Sequence, residues 1–70
     1  MAAGTDKETP NKCGETPLNV ACERGRYQVV EMLLAAGANK ETPNHDNGTS
    51  LYAACWMGHY RVVEMLLAAG

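Results

Sequence analysis

Val29–Gly37, VVEMLLAAG, returns without a change at Val62–Gly70, an offset of 33 residues. Laying Ala2–Leu34 over Ala35–Leu67 at that offset puts the same residue at 20 of 33 positions, so the chain is two copies of one unit and a closing AAG. A period of roughly 20 to 50 residues marks an array in which each unit buries its apolar face on its neighbour instead of around one centre. The repeated stretch shows why. On a helix, Val29, Val30, Met32, Leu33, Leu34 and Ala36 cover most of the circumference and leave Gln28 and Glu31 for solvent. A helix apolar over so wide an arc has to be covered on more than one side, by its own partner helix and by the next unit.

Upstream of this helix, Thr5–Glu15 is polar and turn-rich, with Pro10, Asn11 and Gly14, and reads as a loop or extended finger. A first helix is expected from Thr16-Pro17-Leu18, where threonine caps and proline takes the first helical position, to about Arg24, with a stop at Gly25. Leu18, Ala21 and Cys22 recur at i, i+3 and i+4 and form one buried stripe of mostly small residues. The second helix begins near Tyr27 and ends at Gly37, the usual residue for a left-handed C′ position. The second copy repeats the plan: finger Ala38–Gly48, helix about Ser50–Met57, break at Gly58, helix about Tyr60–Ala69. Asn47 stands where the first finger has Gly14, a replacement asparagine permits because it tolerates a left-handed backbone. Residues 1–4 end in the same Ala-Ala-Gly and look like the tail of a preceding helix. The expected organisation is thus 1–4 as that tail, 5–37 as unit one and 38–70 as unit two, an array cut short without an evident cap.

Composition narrows the functional classes. The formal charge is −2, with six basic and eight acidic residues spread along the chain, so no basic stripe attracts a phosphate backbone and nucleic acid is not an expected partner. No apolar run has the length of a membrane span and the first residues lack the blocks of a signal peptide, so no membrane partner is expected. Three cysteines cannot all pair within the chain, and neither a CxxC nor a His/Cys cluster at zinc spacing occurs, so no metal or cofactor is expected. Free thiols suit a reducing compartment, which points to an intracellular protein, cytoplasmic or nuclear. Asn47-Gly48-Thr49 fits the glycosylation acceptor pattern, a triplet common by chance.

The run Thr16-Pro17-Leu18-Asn19-Val20-Ala21, then Gly25, then VVEMLLAAG closely resembles the ankyrin repeat in period, helix start, inter-helix glycine and LLAAG ending. The likeness covers nearly the whole chain. It implies an all-α repeat solenoid: two helix-turn-helix ankyrin-type units with extended β-turn fingers, stacked as L-shapes and presenting a surface that binds other proteins. Four residues depart from the pattern. The family's histidine after TPL, which ties neighbouring repeats by hydrogen bonds, is Asn19 in one copy and Tyr52 in the other, and Lys7 and Lys40 occupy a place that is usually apolar. A looser join between units is the expectation, with Asn19 replacing part of the lost network.

Two copies in one chain allow an internal comparison. Positions that both share are those the fold requires; positions that differ are released from it. The differences cluster at Lys12, Cys13, Gly14 and Glu15 against His45, Asp46, Asn47 and Gly48; at Asn19 and Val20 against Tyr52 and Ala53; and at Glu23 and Arg24 against Trp56 and Met57. The resemblance puts finger tips and this part of the first helix on the concave binding surface. The partner-binding candidates are therefore Lys12, Cys13, Glu15, Asn19, Glu23, Arg24, His45, Asp46, Tyr52, Trp56 and Met57, set against the plainer explanation that exposed residues drift for want of constraint. Tyr52 and Trp56 are four apart and share a helix face. Trp56 is the stronger candidate because its counterpart Glu23 is a charge seldom buried unpaired, whereas Tyr52 could equally pack under the neighbouring finger. Cys22 and Cys55 are expected to be buried packing residues and Cys13 an exposed thiol. His45 and His59 match no metal-ligand spacing, and no nucleophile, base and orienting group assemble, so no enzyme is expected. The sequence thus reads as a protein-protein interaction module; the alternative is a non-binding spacer or an interior fragment of a longer array. Uncapped outer units also lead one to expect partial unfolding or self-association of the free chain.

Overall fold

The computed structural model describes residues 5–69, with side chains from Lys7 onward; the helix tail expected at residues 1–4 lies outside them. After a 3-10 turn at Thr5–Glu8, which the loop reading of this stretch did not anticipate, come α1 (Pro17–Glu23), α2 (Tyr27–Ala35), α3 (Ser50–Met57) and α4 (Tyr60–Ala68). No strand occurs among the described residues.

Local chemistry sets these boundaries. The Thr16 hydroxyl accepts from the Asn19 amide at 3.2 Å while Asn19 Oδ1 accepts from the Thr16 amide at 3.1 Å, a reciprocal capping box, with Pro17 opening the helix. Thr49 caps α3 in the same way at 3.3 Å, but Tyr52 has no short acceptor to return the bond. At the end of α1, the Gly25 amide donates to Cys22 and the Arg26 amide to Ala21, the paired bonds of a Schellman motif, and the equivalent pair closes α3. Gly25 has φ +69°, and a Cβ there would lie 2.7 Å from the His59 ring, so both conformation and space demand glycine. Each finger is an asparagine-nucleated turn: Asn11 Oδ1 accepts from the amides of Cys13 and Glu15, and Asn44 Oδ1 from those of Asp46 and Gly48. Asn47 carries the left-handed backbone expected of it, at φ 65°.

The units stack with α1 on α3 and α2 on α4, around Leu18, Ala21, Cys22, Val30, Ala38, Ala54, Val62 and Leu66. Equivalent residues of the two copies differ in burial, and the difference gives the stacking direction. Val62 is 1% exposed against 43% for Val29, so this position faces the preceding unit. Leu18, Cys22 and Val30 are fully buried, whereas Leu51 and Val63 are only partly so and Cys55 is exposed; these positions face the following unit. The expectation of a buried Cys55 is thereby corrected. Its residue type and stripe position match those of Cys22, but Cys22 is covered by α3, and no third helix pair lies against Cys55 among the described residues.

The join is bonded more closely than the family departures suggest. Asn19 is 4% exposed, and its Nδ2 donates to Ser50 Oγ at 2.8 Å and, at a longer 3.4 Å, to the Thr42 carbonyl. Ser50, itself fully buried, also contacts the Cys22 thiol; burial pushes that thiol up to about 11, partly offset by the Ser50 hydrogen bond. Farther along, His59 Nε2 donates to the Glu23 carbonyl at 2.9 Å. At the fingers the His45 amide donates to the Cys13 carbonyl at 3.2 Å and the Asn39 amide to Glu8 Oε2 at 2.9 Å. Lys40, partly buried, pairs with Glu41 at 2.9 Å. No buried side-chain nitrogen or oxygen among the described residues lacks a partner.

Candidate functional site

Because α1 and α3 lie side by side and each is preceded by a finger, their outer faces and the finger turns form one groove of about 300 Å³. The first unit contributes Glu15, Asn19 and Glu23; the second contributes Asn44, Asp46, Gly48, Thr49, Tyr52, Ala53, Trp56 and Met57. Tyr52 and Trp56, one turn apart on α3, stack with ring centroids 6.3 Å apart and planes at 19°. They do so in the open: Tyr52 is 61% and Trp56 76% exposed. Tyr52 is therefore not packed under the neighbouring finger, the structural role weighed for it from sequence. Its ring lies along the helix surface against Trp56.

The other candidates divide. Glu15, Glu23, Asp46 and Met57 join the aromatic pair in the groove. Asn19 forms part of its floor, but it is 4% exposed and its amide bonds Thr16 and Ser50, so it acts as a buried tie between units. Lys12 and Cys13 are exposed on the first finger turn beside the groove, and the exposed His45 occupies the second finger. Arg24 points elsewhere, to a separate depression that it lines with Pro17, Val20, Arg26 and Val29. Asn44 and Thr49 line the groove without having been singled out, and Ala53 lines it as a position that differs between copies but was not named a candidate. Asn44 and Thr49 are identical in the two copies and so invisible to a comparison that looks for differences. His59 was likewise passed over, since its role depends on a carbonyl 36 residues away.

Among the described residues no group of three or more His, Cys, Asp or Glu could hold a metal ion, and no helix is long and apolar enough to cross a membrane. The groove offers stacking surface, carboxylates and a thioether, which is recognition chemistry.

The family model described as ankyrin repeats in three copies matches residues 1–70. The chain belongs to the ankyrin-repeat family. Repeats of this family generally mediate protein-protein interaction. Among solved structures, the chain is similar to one in the complex of the Bd0816 predatory endopeptidase from Bdellovibrio bacteriovorus with the immunity protein Bd3460. The TM-score is 0.90 with 34% identity over 93% of this ankyrin-repeat chain. This chain spans 34% of the length of that one. No curated protein matches.

Proposed function

We propose that the chain is a protein-interaction module that holds its partner on the α1–α3 face, with Trp56 as the central anchor and Tyr52 and Met57 beside it. The observation that carries this reading is the stacked, solvent-exposed Tyr52–Trp56 pair: two large rings outside the core. Exposed aromatics in a groove are the usual anchors of an interface, since they bury large area at little cost in side-chain freedom. That the similar solved chain belongs to a complex of two proteins supports a protein partner. Panning a random-peptide display library on the chain tests the reading. Selected peptides should lose about 2 kcal/mol of affinity on Trp56→Ala, with the helical circular dichroism unchanged. Peptides that bind equally well to Trp56→Ala would refute it.

A second reading, stack element or spacer, is favoured by the exposed edge of unit two, where Leu67 is 64% exposed beside Leu51, Cys55 and Val63. These side chains match those that bury the join between the two units, so the edge suits another ankyrin unit, including one from a second copy. Sedimentation across a concentration series separates the cases: association that Leu67→Glu abolishes supports a stacking edge, and a monomer throughout counts against self-association.

A further inference from the structure

We infer that the occupant of the α1–α3 groove is an arginine side chain on an extended segment of the partner protein, seated on the Tyr52–Trp56 rings between the carboxylates of Glu23 and Asp46. This deepens the proposed function and rests on it. The chain as a whole is nearly balanced in charge, but the groove is not: Glu15, Glu23 and Asp46 line it and no lysine or arginine does. Lys12, exposed on the first finger turn, is the cation beside the groove and does not line it, and the arginines lie elsewhere. Arg24 and Arg26 line the neighbouring depression, whose wall Glu15 shares, and Arg61 lies 5.0 Å over the Tyr27 ring on the α2–α4 side.

The groove carboxylates are also free to act. Among the described residues the one ion pair is Lys40–Glu41, and Glu15 is steadied through one oxygen by Asn11 Nδ2 at 3.1 Å. An apolar anchor filling the groove would strip water from three carboxylates and give nothing back, and an acidic segment would be repelled. A guanidinium answers both features at once. Its planar face stacks on tyrosine or tryptophan, its edge donates several hydrogen bonds to carboxylates, and it is less strongly hydrated than an ammonium.

The test uses the full chain and two probes, acetyl-Gly-Arg-Gly-Arg-Gly-amide and the same peptide with citrulline, which keeps the shape and removes the charge. Trp56 is the only tryptophan, so its emission reports directly on the groove. At low ionic strength the arginine peptide should change that emission saturably, and the citrulline peptide should bind about tenfold more weakly. The double variant Glu23→Gln, Asp46→Asn, which alters exposed side chains only, should weaken the arginine peptide by about tenfold and leave the citrulline peptide within about twofold. Equal binding of the two peptides, indifference to the double variant, or no saturable change with the arginine peptide would each overturn the inference. The two levels fail separately. Library peptides that need Trp56 but contain no arginine would overturn the arginine occupant and keep the binding face, whereas library peptides indifferent to Trp56 would remove both.

Discussion

The tie between the units can be tested by removing Asn19. In Asn19→Ala the Thr16 amide loses its acceptor at 3.1 Å and Ser50 Oγ loses its donor at 2.8 Å; the 3.4 Å contact to Thr42 is too long to count for much. At about 1 kcal/mol for each hydrogen bond, with about 1 kcal/mol more for the void and for polar groups left buried, the cost is about 3 kcal/mol. A chain of this length has a total stability on the order of 3.5–10 kcal/mol, so the loss is about 30% or more of the whole. Urea unfolding followed by far-ultraviolet circular dichroism reads it; Trp56 emission would not, because that ring is exposed in the folded chain. The double variant with Ser50→Ala should show a coupling of about 1 kcal/mol, since each single change already breaks the shared bond. Tyr52→Ala, at the equivalent place one unit on, should cost less than about 1 kcal/mol. The reasoning is refuted if Asn19→Ala lies within about 0.5 kcal/mol of the parent, or if its effect simply adds to that of Ser50→Ala.

Three other expectations follow from the same geometry. The Cys22 thiol, raised from 9.0 to about 11, stays protonated in the folded chain while the unfolded chain ionises first, so its contribution is fully present below about pH 9 and is lost as pH rises toward 11. The loss is at most about 2–3 kcal/mol, and urea midpoints measured across that window should flatten in Cys22→Ala. A chromogenic disulfide reagent should titrate Cys13 and Cys55 at once and Cys22 only on unfolding, as exposure dictates. Gly25→Ala should destabilise more than Gly37→Ala: both have positive φ, but a Cβ at Gly25 meets the His59 ring at 2.7 Å and one at Gly37 meets nothing within 4 Å. Thermal melts should place Gly37→Ala about 1–2 kcal/mol below the parent for backbone strain alone, and Gly25→Ala lower still.

Much of this architecture is legible in one dimension because it rests on local rules. Thr16-Pro17, Gly25, Gly37 and the apolar period of VVEMLLAAG each act within a turn or two of helix, and the observed bounds of α1 to α4 follow them. Asn47 could be assigned its left-handed backbone by comparison with Gly14 alone. What could not be read depends on partners far along the chain. Asn19 is expected to replace part of the inter-unit network, but nothing in the sequence reveals that its partner is Ser50, at 2.8 Å across the join. Cys55 failed for the opposite reason: its local pattern is that of Cys22, and only the absence of a covering helix among the described residues separates an exposed thiol from a buried one. In the groove, comparison of the copies found the aromatic pair and the acidic residues that vary, and it missed Asn44 and Thr49 because the fold uses them in both units. It also counted Asn19 among the binding residues as well as the inter-unit ties, since a buried tie and a binding residue both differ between copies.

The central claim, that partners bind on the α1–α3 face, is tested most directly by amide chemical-shift mapping on the isotope-labelled chain with a peptide selected from the display library. The account predicts that the largest shifts fall at Glu23, Asp46, Tyr52 and Trp56, while Gln28, Glu31 and Glu64 stay still. Shifts centred on α2 and α4, with Trp56 undisturbed, would contradict it.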